Sequence, residues 1–142
     1  MSLKIDPEAL RLMVADAEEA FPDECCGFAF GREADNCRHI LEALPVHNAK
    51  EGDKRRRFEI APRDYLRAER HAAERGLELL GVYHSHPNHP PLPSEHDRAA
   101  AQPFFSYLIF SVHDGRYQEL RSWRLNDAAQ FDSETIQGPD ET

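Results

Sequence analysis

Leu77-Glu78-Leu79-Leu80-Gly81-Val82-Tyr83-His84-Ser85-His86-Pro87, followed after seven residues by Ser94-Glu95-His96-Asp97, is the segment on which the architecture hinges. The stretch from Leu77 to His84 is almost continuously apolar, which predicts a strand in the middle of a sheet, buried on both faces. The proline-rich residues from Pro87 to Pro93 predict a loop, and Ser94 the start of a short helix. Residues two apart on an extended chain share a face. If the strand passes into the loop there, the imidazoles of His84 and His86 can converge on one point, and Asp97 can supply a third donor from the start of the next helix. Two nitrogens and a carboxylate oxygen suit zinc, and three protein donors leave a fourth position for water, the arrangement of a catalytic site.

Such a site needs a general base. The candidate is Glu24, in Asp23-Glu24-Cys25-Cys26-Gly27, where a carboxylate ahead of an apolar strand can be fixed at the edge of a cleft. Each piece also has an ordinary reading. A histidine pair at this spacing is commonly a surface or hydrogen-bonded pair. Ser94 and Asp97 read as a capping-box pair, with Asp in place of the usual Glu or Gln. Glu24 taken alone reads as solvated surface. His89 and His96 match no ligand spacing, and Lys54-Arg55-Arg56-Arg57 reads as a solvated loop before it reads as a docking site for an acidic partner.

Outward from this segment, Asp6-Pro7-Glu8 carries the signals of a helix start, and Leu10, Met13, Val14, Ala17 and Phe21 recur at helical spacing. A helix over 7–20 follows, stopped by Pro22. Cys25 to Phe30 predicts a buried strand, and residues 38–47 a second, weakened by Pro45. Residues 48–56 predict a loop and Phe58 to Ile60 a short strand. Pro62 opens a second helix that runs to about Arg75, where Gly76 ends it. Tyr107 to Val112 and Tyr117 to Leu125 predict strands joined by the Asp114-Gly115 turn. The organisation expected is one α/β (α+β) domain over residues 1–126 and a flexible acidic tail over 127–142.

Composition narrows the function classes. The 142 residues carry a formal charge of −9, which argues against sequence-independent binding of nucleic acid. No run is long and apolar enough for a membrane span, and no apolar signal segment opens the chain, so a cytoplasmic protein is expected. Three cysteines are too few, and odd in number, for a disulfide scaffold. A thiolate nucleophile at Cys25 or Cys26 is disfavoured by the adjacent Asp23 and Glu24. His-Glu-x-x-His, glycine-rich phosphate loops, Gly-x-Ser-x-Gly and the His-x-Glu with Pro-Cys-x-x-Cys of zinc deaminases do not occur.

The pattern Glu24, then His84-Ser85-His86, seven residues, Ser94, two residues and Asp97 resembles the JAMM, or MPN-plus, family of zinc metallopeptidases, which shares every element at the same spacing. The Gly81-Val82-Tyr83 lead-in, Pro87, Glu24-Cys25-Cys26-Gly27, Phe58 to Tyr65 and Tyr107 to Val112 look like its short bacterial branch, over roughly residues 5–125. The resemblance implies that His84, His86 and Asp97 bind zinc and that Glu24 is the general acid and base. Ser94 would hydrogen-bond the developing oxyanion or the water at the metal. It implies a curved mixed β-sheet flanked by helices, the JAMM/MPN (cytidine-deaminase-like) architecture, with the zinc site at its rim. It also implies a peptidase or isopeptidase that cuts the amide bond after the Gly-Gly tail of a ubiquitin-like sulfur-carrier protein, with no nucleic-acid or membrane partner. The short stretch from Arg98 to Pro103 leaves little room for the insertion with which larger members grip polyubiquitin. The rival readings are a non-catalytic scaffold of the same fold, against which the intact motif argues, and a repair-linked protein, against which the acidic balance argues. Peptide or isopeptide leaving group, and the number of copies that assemble, stay open at this level.

Overall fold

One mixed sheet takes up about two-fifths of the chain in the computed structural model, which describes residues 1–137. Its strands are β1 (Ser2–Ile5), β2 (Cys26–Ala34), β3 (Cys37–Val46), β4 (Glu78–Pro87), β5 (Ser106–His113), β6 (Arg116–Leu125) and β7 (Phe131–Gln137). Helices α1 (Pro7–Ala20), α2 (Pro62–Arg75) and α3 (Glu95–Ala100) connect them. The order β1-β3-β2-β4-β5-β6-β7 closes on itself as a barrel, with β7 and β1 pairing in parallel and Ser2 opposite Thr135. The expected curved mixed sheet with flanking helices is therefore observed, its curvature carried as far as closure.

Local signals set the helix ends. The Asp6 side chain accepts the Glu8 N–H at 3.2 Å, and Pro7 occupies the first turn of α1. Gly76 takes φ 67 at the end of α2, a left-handed conformation that favours glycine, and donates to the carbonyls of Ala72 and Ala73. Ala9, Met13 and Ala17 of α1 enter a core with Leu3, Ile40, Leu80, Leu108 and Phe110. Ala68 and Ala72 of α2 join a second core with Phe28, Phe30, Val82 and Tyr107. Each large apolar side chain fully buried in this way contributes about 1.5–3 kcal/mol. Cys25 belongs to the first core and Cys26 to the second, as alternation of neighbouring residues requires.

Strand β4 lies between β2, antiparallel, and β5, parallel, with His84 opposite both Cys26 and Ile109. Near the start of β4 and β5, the buried Arg38 guanidinium donates to Leu80 O at 2.9 Å, Phe104 O at 2.9 Å and Ser106 Oγ at 3.0 Å, and pairs with Glu33 at 3.2 Å. Every arm of this buried charge is met, so it ties β3 to β2, β4 and the start of β5 instead of straining them.

The structure departs from expectation in six places. Ser2–Ile5, where no element is expected, forms β1. Strand β4 continues through His84, Ser85 and His86 to Pro87, so the histidines stand on the strand and not at its passage into a loop. Strand β2 extends past Phe30 to Ala34, with a register shift between Phe30 and Gly31, where a β-carbon would overlap the His39 carbonyl. Phe58 to Ile60 forms no strand, because the Asn48 side chain, and not a neighbouring backbone, takes the Glu59 N–H at 3.1 Å. Pro45 does not weaken β3, since β1 pairs only with Cys37 to Ile40 and leaves that side of Pro45 without a ladder partner. The expected acidic tail is a strand over 131–137. Phe131 packs on the second core, Ile136 on the first, and buried Glu134 accepts from Ser122 Oγ at 2.7 Å. Of that tail, residues 138–142 lie outside the described residues. Among the described residues no helix is long and apolar enough to cross a membrane.

Candidate metal centre

His84 and His86 stand on one face of β4, with their Nε2 atoms 3.2 Å apart. Asp97 Oδ2 lies 3.2 Å from His86 Nε2 and 3.4 Å from His84 Nε2. Zinc binds imidazole nitrogen and carboxylate oxygen at about 2.0–2.2 Å, so tetrahedral donors stand about 3.3–3.5 Å apart. The donor triangle therefore fits zinc in both chemistry and spacing. Among the described residues this is the group of histidine, cysteine and acidic side chains whose donor atoms gather within 4.8 Å. None of the three cysteines belongs to it, nor does His89 or His96.

Hydrogen bonds aim the donors. Pro90 O can only accept, so the 2.9 Å contact to His86 Nδ1 assigns the ring proton there and leaves the Nε2 lone pair for a metal. Ser94 caps α3: its Oγ accepts the Asp97 N–H at 3.0 Å, while its own N–H donates to Asp97 Oδ2 at 2.9 Å. The capping box and the ligand reading are thus the same interaction, because the bonds that begin the helix also point the carboxylate at the histidines. The Ser94 hydroxyl hydrogen remains to donate elsewhere. His84 is held by packing: Phe58 stacks on its ring with centroids 4.4 Å apart at 24°, and its buried Nδ1 has no partner among the described residues.

Charge states follow from burial. Desolvation pushes the fully enclosed His84 below the ordinary imidazole range, against the pull of Asp97, and keeps it neutral. Burial also acts to raise Asp97, but the charge of His84 when protonated, hydrogen bonds from the facing imidazoles when they carry a proton toward it, and the Ser94 N–H pull the carboxyl well below the carboxylate range. Neutral imidazole and ionised carboxylate are the states that metal ligation requires.

Glu24 is not solvated surface; only 5% of it is exposed. Its N–H donates to Lys54 O at 2.7 Å and its C=O accepts from Asn48 Nδ2 at 3.1 Å. The side chain lines a cavity of about 430 Å³ together with His86 and Ser94, and its Oε1 has no partner among the described residues. Burial first, then the charge of Asp97, pushes this carboxyl up to about 9 against the opposing charge of Arg57. Both adjacent thiols also rise, Cys26 to about 12, chiefly because they are buried and next because of Asp16. A thiolate nucleophile is accordingly disfavoured.

Three positioning residues escaped the sequence reading. Ser85 Oγ accepts the Cys25 N–H at 2.8 Å and so joins β4 to the residue beside Glu24. Its place between the two histidines was the available signal. Asn48 donates to Glu24 O and Arg57 O at 3.1 Å and accepts from Lys50 N at 3.0 Å and Glu59 N at 3.1 Å. Nothing in a polar stretch marks it out. Phe58, which backs His84, carries in the sequence only the signal of a strand residue.

The chain matches the family model for prokaryotic homologs of the JAB domain over residues 6–126. It is 32% identical over 130 residues to the CysO-cysteine peptidase of Mycobacterium tuberculosis, covering 89% of this chain and 85% of that protein. It is 35% identical over 104 residues to the desampylase of Pyrococcus furiosus, covering 73% and 68%. A solution structure of a Desulfitobacterium hafniense protein superposes with a TM-score of 0.83 at 29% identity, covering 95% of this chain and 91% of the other. This chain belongs to the family of prokaryotic JAB-domain homologues, the prokaryotic members of the JAMM/MPN type.

Proposed function

We propose that this protein is a zinc-dependent peptidase or isopeptidase that cleaves the amide bond following the Gly-Gly tail of a ubiquitin-like sulfur-carrier protein. The carrying observation is the donor triangle of His84, His86 and Asp97 beside a buried, unpartnered Glu24. Relatives named peptidase and desampylase support hydrolysis of such a bond.

His84 and His86 would hold zinc through Nε2, and Asp97 through a carboxylate oxygen. Zinc bound there would supply a Lewis acid that acidifies water and polarises the scissile carbonyl. The work of the chain is then to place protons and exclude solvent. Glu24 stands buried beside the donors, and a cation among them favours its ionised form over the protonated one. In that form it takes a proton from the attacking water and delivers it to the departing amine. Ser94, whose oxygen already accepts from Asp97, donates its hydroxyl hydrogen to the oxyanion. A diglycine tail suits such a site because a chain without side chains can bring its backbone closest to the donors.

The test is mass spectrometry of ubiquitin-like sulfur carriers extended beyond Gly-Gly, incubated with zinc-loaded wild type and with Glu24→Ala. Loss of the residues after Gly-Gly with wild type alone is the expected result. Intact carriers after incubation with fully zinc-loaded wild type would overturn the proposal.

A further inference from the structure

Pro90, Pro91 and Pro93 punctuate the loop between β4 and α3, and the donor triangle alone does not explain how that loop is held. It starts against β5. Asn88 takes φ 60, a left-handed conformation that asparagine tolerates, donates its N–H to Val112 O at 2.6 Å and accepts the Asp114 N–H on Oδ1 at 2.9 Å. The next three carbonyls then each take a side-chain donor from a different strand. His89 O accepts from Ser111 Oγ of β5 at 2.6 Å, Pro90 O from His86 Nδ1 of β4 at 2.9 Å, and Pro91 O from Trp123 Nε1 of β6 at 3.1 Å. A carbonyl only accepts and an indole N–H only donates, which settles the direction of each bond.

Strand register explains why these donors meet one loop. Ser111 is the cross-strand partner of His86, and Trp123 that of Tyr107. Tyr107 stands on the face that carries the metal donors: with His84 and Asp97 it lines one cavity of about 330 Å³, whose largely aromatic wall includes Phe58, Tyr65 and Phe131. Side chains alternate along a strand, so Ser111 and Trp123 stand on that face too, and the loop lies over it. Ser111 is buried and Trp123 half-buried. The rings of Pro90 and Pro91 fix φ at both residues, so anchors on the carbonyls before and after Pro90 O also fix the carbonyl between them.

We propose that Ser111 and Trp123 are positioning residues for the metal donor His86, holding in place the Pro90 carbonyl that keeps the imidazole proton on Nδ1. The inference rests on the donor set proposed above. Without the two anchors the loop can shift, and the imidazole can rotate or carry its proton on Nε2 instead. A proton there occupies the lone pair that faces His84 and Asp97, and the triangle loses one of its donors. His84 is held by other means: Phe58 stacks on its ring, and its Nδ1 has no partner among the described residues. The two histidines therefore depend on different parts of the fold, His84 on packing and His86 on a loop that β5 and β6 tie down.

The experiment measures zinc affinity, by competition with a chromophoric chelator, for the full chain as wild type, Ser111→Ala, Trp123→Phe and Ser122→Ala. Trp123→Phe keeps an aromatic ring and removes only the N–H donor. Ser122→Ala is the control: it deletes a buried serine hydroxyl, bound to Glu134 Oε1 at 2.7 Å, on the opposite face of β6 from Trp123. Ser111→Ala and Trp123→Phe should each weaken zinc by about tenfold, the lower end of the range for groups that support a metal ligand. Ser122→Ala should keep wild-type affinity even where it melts earlier. Long-range proton–nitrogen NMR correlations of the metal-free wild type, which need no variant to fold, should place the His86 proton on Nδ1. Wild-type affinity in either loop variant overturns the assignment of that residue. Equal weakening in Ser122→Ala, or a proton on Nε2 of His86 in wild type, overturns the whole inference and leaves the donor set standing. A wild type that binds no zinc overturns the donor set and this inference together.

Discussion

Ser85 Oγ accepts the Cys25 N–H at 2.8 Å, a bond between residues 60 positions apart that sets Glu24 beside the strand carrying both histidine donors. The serine between the histidines thus faces away from them and toward the backbone of Cys25, the residue that follows Glu24. Ser85→Ala would leave a buried N–H without its partner, at about 1–3 kcal/mol of stability. Turnover should fall while zinc content stays at wild-type level. A variant that melts earlier yet turns over normally would show that the strap does not govern Glu24.

Asn48 tests the same idea from the loop side. Asn48→Ala removes all four hydrogen bonds of this side chain, whereas Asn48→Asp keeps the two acceptor roles and loses the donors to Glu24 O and Arg57 O. Both variants should lower kcat by about tenfold or more, since small displacements of a catalytic group are costly, with Asn48→Asp keeping the greater thermal stability. Steady-state kinetics on zinc-loaded protein reads this out; wild-type kcat in both variants would dismiss Asn48 as a positioning residue.

Glu24 makes the stability of the metal-free protein depend on pH. The folded carboxyl keeps its proton up to about 9, while the unfolded chain releases it near 4.5. Between those values the folded state binds the extra proton, so this stabilising contribution is complete below the lower value and is lost as pH rises through the upper one. Glu24→Gln should flatten the slope, changing the stability difference from wild type by a few kcal/mol across the window. Denaturant titrations of both metal-free proteins at several pH values measure it. An unaltered slope in Glu24→Gln would place the titration on other groups.

Asp97→Asn should abolish stable zinc binding, and full metal content after dialysis would strike Asp97 from the donor set. Ser94→Ala removes the cap of α3, at about 0.5–2 kcal/mol, and with it one of the two hydrogen bonds linking Ser94 and Asp97. Zinc affinity should drop by about 10–100-fold, as for other supports of metal ligands.

The parts legible in the sequence are those written locally. Pro7 and Gly76 mark helix ends through backbone conformation, and the run before His84 announces a central strand by its apolarity. The spacing of His84, His86, Ser94 and Asp97 carried the donor cluster because β4 and α3 are neighbours in the chain. What escaped depends on residues far apart. Strand β1 is only four residues long and β7 is mostly polar, and they exist by pairing with each other and with β3 and β6. The burial of Glu24 is equally non-local. It arises where loop residues Lys54 and Asn48 bind its backbone, and neither residue announces this by its type.

Closure of the barrel by β7 makes the order of synthesis matter. All three metal donors and Glu24 have been made by residue 97, but Phe131, on the last strand, supplies part of the wall of the aromatic cavity. A nascent chain can therefore hold the complete donor set before the cavity has its wall. A chain truncated after Leu125 would also present the unpaired backbones of β6 and β1 to its neighbours, a template for aggregation that β7 removes by pairing with both.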